Sequence, residues 1–191
     1  FLFIGPMKSG TSWVYSVLKQ SEQIELPKHV KETFFFDRYY KKGIDWYKSQ
    51  FNQKSNKIYV EVGPSYFHSK EAPERISLLL NDVKIIVITR EPISRSWSHY
   101  KHLKRYGYTN KDLDKAIIDY PEIIYASCYK ENLERWGKYF KSSNILVLNQ
   151  DEMRLSPKTF LKKLSKYMDI DDLDYENIDK KNLSAVPKYF F

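Results

Sequence analysis

The run Val83-Lys-Ile-Ile-Val-Ile-Thr89 constrains the fold of this chain more than any other stretch. It is mostly β-branched and apolar, so it predicts a strand whose two faces are both covered by other structure. Sheets covered on both faces are usually parallel, with helices connecting their strands. We therefore expect an α/β fold in which a central parallel sheet is flanked by helices.

The other periodic segments alternate between strand and helix patterns, as such a fold requires. Further strands are predicted at residues 1–5, 58–62 and 145–148, and helices at 11–20, 71–80, 94–105, 132–140 and 157–168. Residues 169–191 lose this periodicity and are expected to be rich in loops. No repeat or boundary divides the chain, so residues 1–191 are expected to form a single domain.

The balance of charge favours an anionic partner. The formal net charge is +8, which suits nucleotides, acidic polysaccharides, nucleic acid or anionic lipid, although acidic residues interrupt every basic stretch. No apolar run approaches the ~20 residues of a membrane span. The single cysteine, Cys128, excludes an intrachain disulfide and favours a reducing compartment. We expect a cytoplasmic protein, with a Golgi-lumenal catalytic domain as the alternative, because a chain that begins at Phe1 leaves targeting segments open.

A glycine-containing loop follows the first predicted strand and precedes the first predicted helix. It reads Gly5-Pro-Met-Lys-Ser-Gly-Thr-Ser12, whereas a Walker A loop places its lysine directly after the second glycine. The loop and the helix N-terminus still predict an anion-binding site, because backbone N–H groups point at the ligand there. The central strand is followed by Arg90 rather than by a magnesium-binding acid. The pattern therefore predicts phosphate binding without a metal, although glycines that only shape a turn would give a similar loop.

Two segments together resemble a known family. Pro6-Met-Lys-Ser-Gly-Thr-Ser-Trp13 is similar to the 5′-phosphosulfate loop of sulfotransferases, which use 3′-phosphoadenosine 5′-phosphosulfate (PAPS). Arg90-Glu-Pro-Ile-Ser-Arg-Ser-Trp-Ser98 resembles their 3′-phosphate segment. The resemblance implies a P-loop-like three-layer fold, PAPS as donor and 3′-phosphoadenosine 5′-phosphate (PAP) as product. The implied donor-binding residues are Lys8, Ser9, Gly10, Thr11, Ser12, Trp13, Arg90 and Ser98.

The likeness is narrower around Lys31-Glu-Thr-Phe-Phe-Phe-Asp37 and Gly43-Ile-Asp-Trp-Tyr47, which resemble heparan sulfate sulfotransferases. It implies Glu32 as the general base, Lys8 as the cation at the breaking sulfur–oxygen bond, and His102 near the acceptor. The implied acceptor is a hydroxyl or amine, which we expect to belong to a carbohydrate.

Some positions depart from the family pattern. Val62 stands where the 3-O-sulfotransferases have a lysine, and Phe34 where they have a histidine. These changes leave the heparan sulfate acceptor open. Residues 180–188 resemble a remnant of the C-terminal donor loop, and the natural start and the closing helices are expected to be absent.

Two other functions remain open from the sequence. A P-loop kinase or NTPase would require Mg²⁺ and ATP, and a non-catalytic module would bind anionic polysaccharide with a vestigial donor loop. No nucleic-acid partner and no metal are expected, and the oligomeric state is open.

Overall fold

The computed structural model describes residues 1–53 and 56–175. In chain order the strands are β1 (Leu2–Gly5), β2 (Ile24–Glu25), β3 (Ile58–Tyr59), β4 (Glu61–Val62), β5 (Ile85–Thr89) and β6 (Ile145–Asn149). A four-stranded sheet has the order β4-β1-β5-β6, and β2 pairs with β3 in a separate two-stranded sheet. All of these pairings are parallel.

Helices follow or connect the strands. The α-helices are α1 (Thr11–Leu18), α2 (Ile44–Ser49), α3 (Ala72–Leu79), α4 (Pro92–Arg105), α5 (Leu113–Asp119), α6 (Glu122–Tyr125), α7 (Tyr129–Gly137), α8 (Gln150–Leu155) and α9 (Pro157–Met168). A π-helix spans Phe35–Tyr39, and 3-10 helices span Tyr40–Lys42, Tyr66–His68 and Ser142–Asn144.

The central strand β5 divides the core into two layers, because successive side chains of a strand point to opposite faces. Ile86 and Ile88 belong to a buried cluster that includes residues of α1 and α9. Ile85 and Val87 belong to a second cluster that contains Trp136 of α7 and residues of α3. The parallel α/β fold with helices on both faces, predicted from the β-branched run, is therefore confirmed.

The predicted strand over residues 58–62 is wrong as a single element. The chain changes partner at Val60: Ile58 and Tyr59 pair with β2, whereas Glu61 and Val62 pair with β1. The extended run is continuous in sequence, but its two halves lie in different sheets. A change of hydrogen-bonding partner leaves no mark on the apolar pattern, so the sequence could not show it.

The shortest helices were absent from the sequence prediction. Helices α2, α5, α6 and α8 are 6, 7, 4 and 6 residues long. Such lengths give too few turns for a clear helical period. Residues 169–175 contain no helix or strand, and the donor-loop remnant expected at 180–188 lies outside the described residues. Among the helices that the structure describes, none is long and apolar enough to cross a bilayer.

Candidate active site

A cleft lies at the carboxyl ends of the central strands. Its lining includes a residue that follows each strand of the four-stranded sheet: Lys8 after β1, Pro64 after β4, Arg90 after β5 and Gln150 after β6. Open parallel sheets bind their ligands at this edge, where loops and helix N-termini converge. The sheet itself therefore brings together loops that are far apart in sequence.

The loop between β1 and α1 has an unusual backbone. Gly5 has φ +102° and Gly10 has φ +93°. Lys8 also has a positive φ, 72°, which is uncommon for a residue other than glycine. Gly10 is the N-cap of α1, and no side chain caps that helix. The backbone N–H groups of Thr11 and Ser12, at the positive end of the helix dipole, are therefore left for a ligand.

Two arginines hold this loop by its carbonyl groups. Arg90 Nη1 donates to the Lys8 carbonyl at 3.0 Å, and Arg95 Nη1 donates to the Met7 carbonyl at 3.3 Å. Arg95 is fully buried and also donates to Ser127 and to the Ile123 carbonyl. The motif arginine at 90 thus shapes the loop as well as lining the cleft.

Lys8 lies in a site with excess positive charge. Burial lowers its pKa, and Arg90 and Lys31 lower it further because they are nearby cations. Burial also lowers the pKa of Arg90, and Arg154 adds to that shift. Cationic groups that are partly removed from water and lie near other cations are stabilised by an anionic ligand. The electrostatics of the cleft therefore fit a phosphate-bearing or sulfate-bearing molecule.

Helix α4 supplies one wall of the cleft. Ser94 and His102 line it, and Ser98 lies between them at i, i+4 spacing on the same helical face, although it is not itself in the lining. His102 Nδ1 lies 3.5 Å from Lys8 Nζ. Burial lowers the pKa of His102, and the charge of Lys8 lowers it further, so its neutral form is favoured at neutral pH.

Glu32 lies on the same cleft. Its Oε1 accepts a hydrogen bond from Lys31 Nζ at 3.1 Å, and their side chains are 19% and 25% exposed. Lys31 Nζ also lies 3.5 Å from Ser12 Oγ, so it joins this segment to the donor loop. Glu32 therefore pairs with a lysine and lines the same cleft as Lys8.

The phenylalanines after Glu32 do not surround it. Phe35 and Phe36 are fully buried in the core beneath the sheet, and the cleft lining includes neither. These two aromatic side chains therefore do not form the wall of the cleft around Glu32.

Three of the expected donor residues do not line the cleft: Ser98, described above, Trp13 and Ser9. Trp13 is 4% exposed and packs against Phe160 at 6.3 Å between ring centroids, and its backbone N–H donates to the Gly10 carbonyl. Ser9 is fully buried, and its Oγ has no hydrogen-bond partner within the described residues. Gly10, Thr11 and Ser12 do line the cleft.

Sequence reasoning missed the wall of the cleft after β6. Gln150, Asp151, Met153 and Arg154 of α8 belong to the lining. The signal was present, because a ligand site is expected beyond the carboxyl end of every strand in such a sheet. Within residues 1–53 and 56–175, no three His, Cys, Asp or Glu side chains form a group that could hold a metal ion.

Comparison with known proteins assigns the family. A family model described as "Sulfotransferase domain" matches residues 1–186. The chain belongs to the sulfotransferase family. A sulfotransferase from Alicyclobacillus acidocaldarius has the same fold, with a TM-score of 0.79, 19% identity, and coverage of 96% of this chain and 87% of that one. A mouse sulfotransferase, SULT7A1 complexed with PAP, superposes with a TM-score of 0.55 at 18% identity, covering 90% of this chain and 58% of that one.

Curated relatives of this sulfotransferase include heparan sulfate N-deacetylase/N-sulfotransferases. The bifunctional heparan sulfate N-deacetylase/N-sulfotransferase 1 of Xenopus laevis is 32% identical over 213 residues, covering 100% of this chain and 24% of that protein. The human N-deacetylase/N-sulfotransferase 3 is 31% identical over 196 residues, covering 89% and 22%. The predicted likeness to heparan sulfate sulfotransferases is confirmed. The chain spans about a quarter of the length of these relatives.

The comparisons do not support the cytoplasmic location expected from the cysteine count. That expectation rested on the single thiol at Cys128, which is weak evidence in a chain of this size.

Proposed function

We propose that this sulfotransferase transfers the sulfuryl group of PAPS to a hydroxyl or amine of a carbohydrate. The observation that carries the proposal is the cleft itself, where Lys8, Glu32 and Arg90 line one space at the carboxyl edge of the sheet. A cation for the leaving group, a carboxylate for the acceptor proton and an arginine for phosphate are the groups that this reaction requires.

The donor is expected to lie along the loop at the start of α1. The N–H groups of Thr11 and Ser12 and the positive end of the helix would hold the 5′-phosphate. Arg90 would bind the 3′-phosphate together with Ser98, which lies one turn beyond Ser94 on α4. The mouse structure of the same fold holds PAP, which supports this choice of nucleotide.

Lys8 would stabilise the charge that develops during transfer. As the sulfur–oxygen bond breaks, negative charge grows on the oxygen that bridges phosphorus and sulfur. A preorganised ammonium group at that oxygen lowers the barrier, and the part-buried position of Lys8 strengthens the interaction. The neighbouring His102 is favoured in its neutral form, so it can orient Lys8 or accept a proton without adding charge.

Glu32 would take the proton of the acceptor. In the structure its carboxylate is bonded to Lys31, which also reaches the hydroxyl of Ser12. A general base must lie within hydrogen-bond reach of the proton that it removes, and the acceptor is expected to enter between Glu32 and the donor loop.

The acceptor class follows from the relatives and from two substitutions. The relatives named as N-sulfotransferases favour an amine-bearing saccharide. Val62, in place of a lysine, is fully buried in β4, and the ring of Phe34, in place of a histidine, lies 4.5 Å from the Arg38 guanidinium carbon. Neither side chain lines the cleft, so these departures from the 3-O-sulfotransferases do not weaken the donor chemistry. The relatives' association with heparan sulfate also favours the Golgi-lumenal alternative for the location.

The test is ³⁵S transfer from labelled PAPS across a panel of acceptors that includes N-deacetylated heparosan, fully N-acetylated heparosan, simple sugars and phenols. We expect transfer to the N-deacetylated polymer, reduced at least about a hundredfold in Lys8→Ala and strongly in Glu32→Gln. Lys138→Ala, on the exposed surface after α7, is the matched control for loss of a lysine.

Binding experiments separate this proposal from its alternatives. PAP should raise the melting temperature without added metal, and ATP with Mg²⁺ should not. Stabilisation by ATP–Mg²⁺ alone would favour a kinase or NTPase. Salt-sensitive binding of a glycan without any stabilisation by PAP would favour a non-catalytic module.

A further inference from the structure

A buried carboxylate beneath the cleft has no role in the chemistry described so far. Glu61 in β4 is 1% exposed. Burial raises its pKa, while the hydrogen bonds that it accepts act in the opposite direction. Within residues 1–53 and 56–175, no cationic side chain forms an ion pair with Glu61. Keeping a carboxylate in the core in this way is costly unless hydrogen bonds satisfy it.

The hydrogen bonds of Glu61 converge on the residue that follows the general base. Its Oε1 accepts from the Thr33 backbone N–H at 2.9 Å and from Thr33 Oγ1 at 2.6 Å. Tyr66 donates to the same oxygen at 2.9 Å, and Tyr47 donates to Oε2 at 2.9 Å. Every donor is neutral and every proton points at the carboxylate, as an acceptor-only group requires.

The same network continues along the chain beyond Thr33. The Phe35 N–H donates to Thr33 Oγ1 at 3.2 Å and to the Tyr66 hydroxyl at 3.0 Å. The backbone on the C-terminal side of Glu32 is therefore bonded to side chains from β4 and from the 3-10 turn after it. Glu32 itself has its side chain in the cleft, with Lys31 as its partner.

We propose that Glu61 is a positioning residue, which fixes the backbone at Thr33 and thereby sets where the Glu32 carboxylate lies relative to Lys8. The inference rests on the function proposed above. Because β4 pairs with β1, and β1 ends where the donor loop begins, Glu61 ties the base to the same strands that hold the donor. A displacement of about 1 Å at a catalytic group can reduce a rate about a hundredfold.

The two obvious substitutions of Glu61 have different consequences. Glu61→Gln keeps an oxygen for Thr33 and Tyr66, and its amide nitrogen can donate to the Tyr47 hydroxyl after that hydroxyl rotates. Glu61→Ala removes both oxygens and leaves buried donors without partners. A positioning role therefore predicts that Gln restores much of what Ala loses, whereas a role that depends on the charge predicts that both variants fail alike.

The decisive experiment is a double-mutant cycle with Glu32→Gln. In the wild-type background, we expect Glu61→Ala to lower kcat between about tenfold and a hundredfold, with the Kd for PAP changed less than about twofold. In the Glu32→Gln background, the same substitution should change kcat less than about twofold, because Glu61 acts through a carboxylate that is already gone. Glu74→Ala, at an exposed position of α3, serves as the control.

Hydrogen exchange gives a readout that does not depend on sulfotransferase activity. The peptide covering residues 31–36 should exchange at least about tenfold faster in Glu61→Ala, while the peptide covering the donor loop stays unchanged. If Glu61→Ala does not fold, Thr33→Val replaces it, since Val keeps the backbone N–H bond and removes only the hydroxyl.

Equal losses of kcat in the two backgrounds, or unchanged exchange at residues 31–36, would overturn the proposal. So would a Gln variant as impaired as the Ala variant. If no acceptor is sulfated by the wild type, the proposed function fails, and the exchange measurement still decides whether Glu61 holds this segment.

Discussion

Replacement of Gly5 by alanine tests how closely the donor loop is built onto the sheet. Gly5 ends β1 and has φ +102°, which L-residues rarely adopt. A Cβ at this position would lie 2.4 Å from the Pro64 carbonyl oxygen. That oxygen belongs to the backbone that follows β4, so it cannot rotate away as a side chain would.

The loss of stability in Gly5→Ala has two parts, and the same substitution at Gly107 allows them to be measured separately. The left-handed backbone costs an alanine about 1–2 kcal/mol, and forcing neighbouring backbone apart costs about 1–3 kcal/mol more. Gly107, after α4, has φ +73° and no atom within 4 Å of its own Cβ position, so it carries only the first part. Gly5→Ala should therefore lower the free energy of unfolding by about 2–5 kcal/mol, and Gly107→Ala by about 1–2 kcal/mol.

Urea denaturation of both variants measures this difference, and calorimetric titration with PAP measures its effect on the loop. We expect Gly5→Ala to weaken PAP binding as well, since the loop begins at this residue, and Gly107→Ala to bind PAP as the wild type does. Equal losses of stability in the two variants would refute the reasoning. The positive φ would then account for the whole cost, and the Pro64 backbone would not constrain the loop.

Two further predictions concern the donor site and the core beneath it. Ser98→Ala should weaken binding of PAP about tenfold, because it removes one hydrogen bond to a charged group. Binding of adenosine 5′-phosphate, which has no 3′-phosphate, should be unchanged. If calorimetry shows equal losses of affinity for both nucleotides, Ser98 does not bind the 3′-phosphate. Burial lowers the pKa of His99 from 6.5 to about 3, with the charge of Arg95 adding to the shift. The unfolded chain binds the proton first, so stability should fall as the pH drops below 6.5, by about 3 kcal/mol at pH 4 from this residue. His99→Gln, which can accept the bond from Arg95 without titrating, should flatten that fall in urea denaturation, and an unchanged slope would contradict the assignment.

The motif at Arg90 shows which features of the site could be predicted from a local sequence pattern. The sequence indicated an arginine after a buried strand and a glycine loop before a helix, and both lie on one cleft. The hydrogen bond from Arg90 to the Lys8 carbonyl joins residues 82 positions apart, and only the adjacency of β1 and β5 creates it. A spacing in sequence cannot express that adjacency.

The fold class and the donor loop were determined by the sequence alone, because they depend on local properties: β-branched runs, helical periods and glycines between a strand and a helix. The setting of Glu32 was decided by the tertiary structure. The phenylalanines after it pack into the core, Lys31 pairs with it, and Glu61, from a strand about thirty residues away, holds the backbone beside it. Burial and hydrogen-bond partners depend on which strands become neighbours, so the environment of Glu32 could be known only once the chain had folded.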